Sequence, residues 1–249
     1  MEMHPKISVI TVCKNSANTI YKCIESVVNQ SYLNFEYIIV DGVSSDDTLN
    51  VIQNFADKIT KLITEPDNGI FDAMNKGISA SSGDYIIFLN ADDFFISTNT
   101  IKYTVNFILN EARSQYDVYY GKVLIFNHQS GIGNIWNAAK TSRFSLYRAS
   151  LPHPATIYKK DAFERCGVFN TTYKIASDYE WFVRALLKYK LKFKRIDLII
   201  TLFSKGGLST QKDNSNFIKK EKDRVRKTYY SFVERLYFSS RWFIKKNLF

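Results

Sequence analysis

Apolar and polar positions along this chain alternate with two different periods. Ile7-Ser8-Val9-Ile10-Thr11-Val12 is a β-branched run of the kind that forms a buried strand, and Lys14-Asn15-Ser16 interrupts it. Spacings of 3, 4, 7 and 8 across Ile20, Cys23, Ile24, Val27 and Val28 predict a helix with Asn18 as its N-cap. Phe35 to Val40 predicts a second strand, Ser44 to Thr48 the start of a helix reaching about Asp57, and Ile59 to Thr64 a third strand. The turn Glu65-Pro66-Asp67-Asn68-Gly69 precedes a short helix from about Ile70 to Ala80. Tyr85 to Leu89 puts five apolar residues in a row, a strand buried on both faces. Further on, the pattern predicts a helix from about Asn99 to Ala112, a strand at Val118 to Phe126 and a strand at Ala155 to Tyr158. A short helix at Asp161 to Cys166 ends at Gly167, a helix opens at Ser177, and a last strand spans Ile196 to Phe203 before Gly206-Gly207. Asn127 to Ser150 has no clear period and is expected to be irregular or mobile. Strand and helix in alternation at short spacing predict parallel βαβ units, hence an α/β fold with a mostly parallel central sheet and helices on both faces.

Composition narrows this picture. With 249 residues, 45% of them hydrophobic and 15% aromatic, the chain can fill one large core and is not generally disordered. Cys13, Cys23 and Cys166 form neither a CxxC pair nor a zinc-ligand spacing, which fits a reducing cytosol. Met1 to Lys6 leads straight into the first strand and no apolar run is long enough to span a bilayer, so a protein that is soluble or peripherally bound is expected. The net charge of +10 sits mostly at one end: Lys219 to Phe249 holds ten basic and three acidic residues, +7, leaving +3 elsewhere. The basicity therefore says little about an active site.

Candidate chemistry lies at strand ends. The Tyr85 to Leu89 strand runs into Asn90-Ala91-Asp92-Asp93, and the Phe35 to Val40 strand into Asp41-Gly42. Asp67 follows the third strand. Open α/β sheets bind ligands at the carboxyl ends of their strands. Adjacent carboxylates there suit Mg²⁺ or Mn²⁺ carrying a phosphorylated substrate, although Asp is also an ordinary turn former. Ser177-x-x-Glu180 has the spacing of a capping box, which places Asp178 in the first turn of its helix.

Four segments in this order, Ile-Ser-Val-Ile-Thr-Val-Cys-Lys-Asn at 7–15, Ile-Val-Asp-Gly-Val-Ser-Ser-Asp-Asp-Thr at 39–48, Asn-Ala-Asp-Asp at 90–93 and Ser-Asp-Tyr-Glu-Trp at 177–181, resemble the family 2 glycosyltransferases with the Rossmann-like GT-A fold. The resemblance covers about residues 6–210, and the block from Glu65 to Gly77 is similar to one found in a bacterial branch that builds surface polysaccharides. It implies an inverting, metal-dependent hexosyltransferase that moves a sugar from a nucleotide-sugar donor, in the first place a UDP-sugar, to a glycan or lipid-linked acceptor in capsule, exopolysaccharide or lipopolysaccharide synthesis. It implies that the Thr11 to Lys14 region and Asp41 hold the base, and that Asn90 to Asp93 stands where such enzymes have a DxD element. Asn90 replaces that element's first acid, so either Asp92 or Asp93 is the direct ligand of Mn²⁺ or Mg²⁺. Asp178 resembles the general base, which must lie near the acceptor hydroxyl. Lesser candidates for the donor site are Asp67, Asp72, Lys76 and His153.

The segment 211–249 reads as a basic, aromatic helical tail appended to a domain of residues 1–210. Val225, Tyr229, Phe232, Leu236 and Phe243 fall near one face, and basic residues fill much of the rest. Such a segment suits the headgroup layer of an anionic membrane, on the cytoplasmic face of an inner membrane, or else packs on the domain. A sugar-nucleotide nucleotidyltransferase is the alternative enzyme, but Cys13-Lys14-Asn15-Ser16-Ala17 lacks the Gly and Arg that a triphosphate loop requires. A non-catalytic glycan- or nucleic-acid-binding module is the other class, and no nucleic-acid partner is expected because the charge is confined to the tail.

Overall fold

The computed structural model describes residues 4–110, 116–127, 132–204 and 214–248. Four parallel strands form one half of the sheet: β1 (Ile7–Cys13), β2 (Phe35–Asp41), β3 (Lys61–Thr64) and β4 (Tyr85–Phe88), in the order β3-β2-β1-β4. Past β4 the order continues with β8 (Thr156–Lys159), β6 (Val118–Asn127), β9 (Phe193–Ser204) and the two-residue β5 (Phe94–Phe95), while β7 (Ile132–Trp136) pairs with β6. β8 is antiparallel to both neighbours, and β6 and β9 are parallel to each other. The predicted α/β class holds, with the sheet mostly parallel.

Period-2 alternation sorts β1 between two cores. Ile7, Val9 and Cys13 join Tyr37, Ile39 and Ile87 beneath α1 (Ile20–Val28) and α4 (Thr100–Asn110). Ile10 and Val12 join Ile38, Val40, Ile86 and Phe88 beneath α3 (Ile70–Ala80), α6 (Lys160–Cys166) and α7 (Ser177–Leu187). Each fully buried Ile or Val here is worth about 1.5–3 kcal/mol relative to exposure. Gly77 permits the close seat of α3 on β1, because a Cβ there would lie 2.5 Å from Ile10 Cγ2.

Several expectations are corrected. Asn18 does not cap α1. The helix starts at Ile20 with no side-chain cap, and the preceding loop is instead tied to α2 (Thr48–Gln53) by Ser16 N–H on Thr48 Oγ1 (2.7 Å) and Ala17 N–H on Asp46 Oδ2 (3.1 Å). That second helix stops at Gln53, and a short 3₁₀ turn, Ala56–Lys58, takes its place. The segment expected to be irregular contains β7 and α5 (Arg143–Arg148). β7 is an edge strand with Ile135 more than half exposed, so it carries no alternating pattern, and the cap of α5 is a reciprocal Ser142–Ser145 pair rather than Ser with Glu. Gly206-Gly207 lies outside the described residues.

The C-terminal segment forms two helices, α8 (Ser215–Tyr229) and α9 (Phe232–Leu248). Val225, Tyr230 and Phe238 enter the core shared with α7, whereas Phe232, Val233, Leu236, Tyr237 and Phe243 stay exposed. The single face read from periodicity is thus divided by the break at Tyr230-Ser231, and its α8 part is buried.

Candidate active site

Because β1, β2 and β4 run parallel, their ends share one edge. Cys13 is in register with Asp41, and Ile10 with Phe88, so Lys14, Asp41-Gly42 and Asn90 to Asp93 emerge side by side. β8 runs the opposite way, so its beginning, just after His153–Ala155, meets the same edge.

The loops after β1 and β2 are stitched together. Asn15 N–H donates to Ser44 Oγ (2.9 Å), and Ser45 N–H donates to Asn15 Oδ1 (2.8 Å). Asn15 and Val43 both adopt left-handed backbone, φ 52 and 58, and for a β-branched residue such as Val43 this is strained. Asp41 is fully buried and accepts from Ser44 Oγ (2.5 Å) and Ser44 N–H (2.9 Å), with the Cys13 thiol 3.6 Å away. Burial, with Asp41 beside it, pushes the Cys13 thiol far above its ordinary range. Gly42 is overhung by side chains: a Cβ there would lie 2.1 Å from Asp67 Oδ2 and 3.3 Å from Lys14 Cδ. Lys14, Asp41 and Asp67 are therefore brought together around a bare backbone position.

Thr11 is not part of this group. Its hydroxyl is fully buried, 3.0 Å from Tyr37 Oη and 3.5 Å from Cys23 Sγ, on the side of β1 that faces α1. It shares the face of Cys13 and Asp41 but lies one pair further back along β1, in contact with Tyr37 and Cys23 rather than at the strand end. Asp72 and Lys76 order the loop before α3 instead. Asp72 Oδ2 accepts from Asn68 N–H (2.9 Å), and Lys76 Nζ donates to the Pro66 carbonyl (2.5 Å) and pairs with Glu65 at 3.7 Å. Asp67 Oδ1 accepts from Gly69 N–H (2.9 Å), an Asx turn that leaves Oδ2 over Gly42.

The two aspartates after β4 differ in exposure. Asp93 is fully buried, with Oδ2 accepting from Asn90 Nδ2 at 3.1 Å, and its charge is felt by Cys23 on α1. Asp92 is half-buried, and burial raises its carboxyl above the ordinary value. Asn90, where an acid was expected, thus ties the buried Asp93. Among the described residues no group of three or more His, Cys, Asp or Glu side chains forms a protein-only metal cage.

Asp178 sits in the first turn of α7. Burial pushes its carboxyl up to about 6, against smaller opposing effects of the Tyr179 backbone, Lys222 and Ser150. The expected capping box is absent. Ser177 lies inside the helix and donates to the Asn170 carbonyl (2.9 Å), while Glu180 is held by Arg184 (3.0 Å) and Tyr229 Oη (2.5 Å). The turn leading into α7 is capped from a distant helix. Glu221 of α8 accepts from the N–H groups of Lys174 (2.6 Å), Ile175 (3.0 Å) and Ala176 (2.9 Å). Net charge and the apolar face alone do not single out Glu221 and Lys222 in a segment this basic. The available signal was the i, i+4, i+8 stripe Glu221, Val225, Tyr229, an acid aligned with the buried face of a basic helix.

His153 is also reassigned. It is buried, its Nδ1 is 2.8 Å from Tyr158 Oη, and its ring stacks on Phe88 at 5.3 Å and 23°. Burial pulls the imidazole down to about 4, so it is neutral at pH 7 and supplies no charge for a phosphate. With Tyr158, Phe163, Phe169 and Trp181 it forms an aromatic cluster behind Asp178, whose charge reaches the Tyr158 hydroxyl.

Comparison with known proteins places this arrangement. The model of glycosyl transferase family 2 matches residues 8–167, which includes every strand end just described and stops short of Asp178. A PGL/p-HBAD biosynthesis glycosyltransferase of Mycobacterium tuberculosis is 26% identical over 220 residues, 87% of this chain and 84% of the relative. An uncharacterized glycosyltransferase of the same organism is 27% identical over 75% of this chain and 71% of its own length. Among solved structures, residues 1–349 of S. aureus TarS in complex with UDP-GlcNAc superpose with TM-score 0.66 at 21% identity, over 81% of this chain and 59% of that one. The mannosyltransferase PcManGT of Pyrobaculum calidifontis, in complex with GDP-Man and Mn²⁺, gives TM-score 0.63 at 16% identity, over 84% of this chain and 59% of that one. The chain thus spans about three fifths of the solved structures it matches.

Proposed function

Because this chain belongs to glycosyl transferase family 2, we propose that it transfers a sugar, with inversion, from a UDP-sugar to a glycan or lipid-linked acceptor in surface-polysaccharide or glycolipid synthesis. The observation that carries this reading is Asp178, a carboxylate raised to about 6 beside Ser150, which lies just ahead of the β8 start that meets the strand-end edge. A group poised near the working pH is suited to accept a proton as the acceptor hydroxyl attacks the anomeric carbon and the bond to the nucleoside diphosphate breaks. Lys14, Asp41 and Asp67 around Gly42 form the base-recognition end. Asp41 offers a buried carboxylate to a ring N–H, provided Ser44 yields part of its hold.

Asp92 is the assigned contact to the diphosphate end, since it is the more exposed of the pair and Asp93 is engaged by Asn90. One carboxylate together with substrate phosphates is a common way to hold Mg²⁺ or Mn²⁺, so this donor set fits the ion. Such an ion, when bound, offsets the negative charge that grows on the leaving diphosphate. The donor complexes of TarS and PcManGT support the nucleotide-sugar class.

α9 supports a peripheral position on the cytoplasmic face of an anionic membrane. Phe232, Val233, Leu236, Tyr237 and Phe243 are exposed on a helix that also carries Arg235 and Arg241. No helix among the described residues is long and apolar enough to cross a bilayer. Substituting Phe232, Leu236 and Phe243 by Ser tests the contact while sparing α8. Sedimentation with phosphatidylglycerol vesicles should fall in this variant, and unchanged sedimentation rejects the membrane role.

The central test is thermal shift with UDP and GDP, with and without Mn²⁺, followed by release of nucleoside diphosphate from a panel of nucleotide sugars. Metal-dependent stabilisation by UDP is expected. Silence with every nucleotide removes the transferase reading.

A further inference from the structure

α8 belongs to neither strand nor loop of the edge that holds the donor residues, yet two of its adjacent side chains act on the start of α7. Glu221 accepts three consecutive backbone N–H groups at 174–176. Lys222, the next residue, is half-buried with Nζ 5.6 Å from the ring centroid of Tyr179, the neighbour of Asp178, and its charge reaches the Asp178 carboxylate. We propose that Lys222 is a positioning residue for Asp178: with Glu221 fixing the turn, its ammonium keeps the carboxylate ionised and oriented while substrates exclude water. This rests on Asp178 acting as the base.

The surroundings support the assignment. The other groups facing Asp178 are the Ser150 hydroxyl, ahead of β8, and the Tyr158 hydroxyl on β8, which is bonded to the neutral His153. Arg226, one turn further along α8, is drawn to Asp223 (2.8 Å) and the Tyr147 carbonyl (3.0 Å), and it acts on Tyr179 and Lys222. A cation several ångströms from a poorly solvated carboxylate shifts its protonation by a unit or more, so about tenfold in the ionised fraction is at stake. A purely packing role for Lys222 over Tyr179 would leave that equilibrium alone.

Two substitutions in the full chain separate charge from packing. Lys222→Met keeps the stem over Tyr179 and removes the ammonium, and Lys222→Arg keeps the charge. The readout is the titration midpoint of the Asp178 carboxyl by ¹³C NMR, assigned by its disappearance in Asp178→Asn. The midpoint should rise by about one unit in Lys222→Met, a roughly tenfold loss of ionised form below pH 6, and return to the parent value in Lys222→Arg. A midpoint unmoved in Lys222→Met overturns the proposal, as does an equal shift in both variants. Lys222→Gln is read in the same way if the Met variant does not fold. The base reading fails separately, if Asp178→Asn still releases nucleoside diphosphate at the parent rate.

Discussion

Two desolvated carboxylates, Glu36 on β2 and Asp178 on α7, meet opposite fates. Glu36, at the start of β2, is 5% exposed and surrounded by donors. Ser8 Oγ lies at 2.5 Å, Ser82 N–H at 2.5 Å, Ser82 Oγ at 2.6 Å, Gly83 N–H at 3.2 Å and Lys6 Nζ at 2.9 Å. Burial alone would raise its carboxyl, but these bonds outweigh it and bring the group to about 2. Asp178 has burial without a comparable set of donors, and it rises to about 6. The lesson concerns donors rather than depth. Where the fold supplies hydrogen bonds to match the lone pairs, a carboxylate fastens strands together; where it withholds them, the carboxyl titrates closer to neutral pH, as the proposed base requires.

The sharpest way to break this contrast is Asp178→Asn. Transfer should fall by about 10²–10⁴-fold with UDP binding retained, measured as nucleotide release and thermal shift. Stability should move the other way. The folded protein holds this proton more tightly than the unfolded chain, so stability declines as pH rises from about 4 to 6 and stays lower above that. The Asn variant should be more stable than the parent at pH 8 by up to about 2–3 kcal/mol, and equally stable near pH 3.5, in denaturant titrations.

Glu36→Ala should do the reverse. It strands Ser8, Ser82 and Gly83 donors in the interior and should cost about 3–5 kcal/mol, with transfer per folded molecule unchanged. In the parent protein the contribution of Glu36 is complete above about pH 4.5 and is lost as pH falls toward 2, so the stability gap between parent and variant should narrow over that range.

Smaller effects probe the proposed base-recognition end at Gly42. Gly42→Ala forces Asp67 aside and should weaken UDP by about tenfold, read by calorimetry, with little change in melting temperature. Val43→Gly relieves left-handed strain and should stabilise the fold by about 1 kcal/mol in denaturant titration.

Legibility followed the range of the interactions. β1, β2 and β4 were readable because they are buried on both faces, and α3, found at Ile70–Ala80 as expected, because its apolar residues keep a helical period. Asp41 and Asn90 to Asp93 were readable as strand-end acids because a parallel sheet gathers such ends at one edge. Burial distinguished Asp92 from Asp93, and the depth of Thr11 beside Tyr37 and Cys23 set it apart from the strand end, neither of which spacing alone decides. β7 and α5 were missed because an exposed edge strand and a six-residue helix leave no period. The service of α8 to α7 was missed because Glu221 meets its three partners across 45 to 47 residues, a separation no local pattern encodes.

That long reach also sets an order in time. A chain made from its N-terminus releases β1 to β9, the strand-end acids and Asp178 itself before α8 is synthesised. Glu221 can therefore fasten the turn into α7 only once α8 has been made.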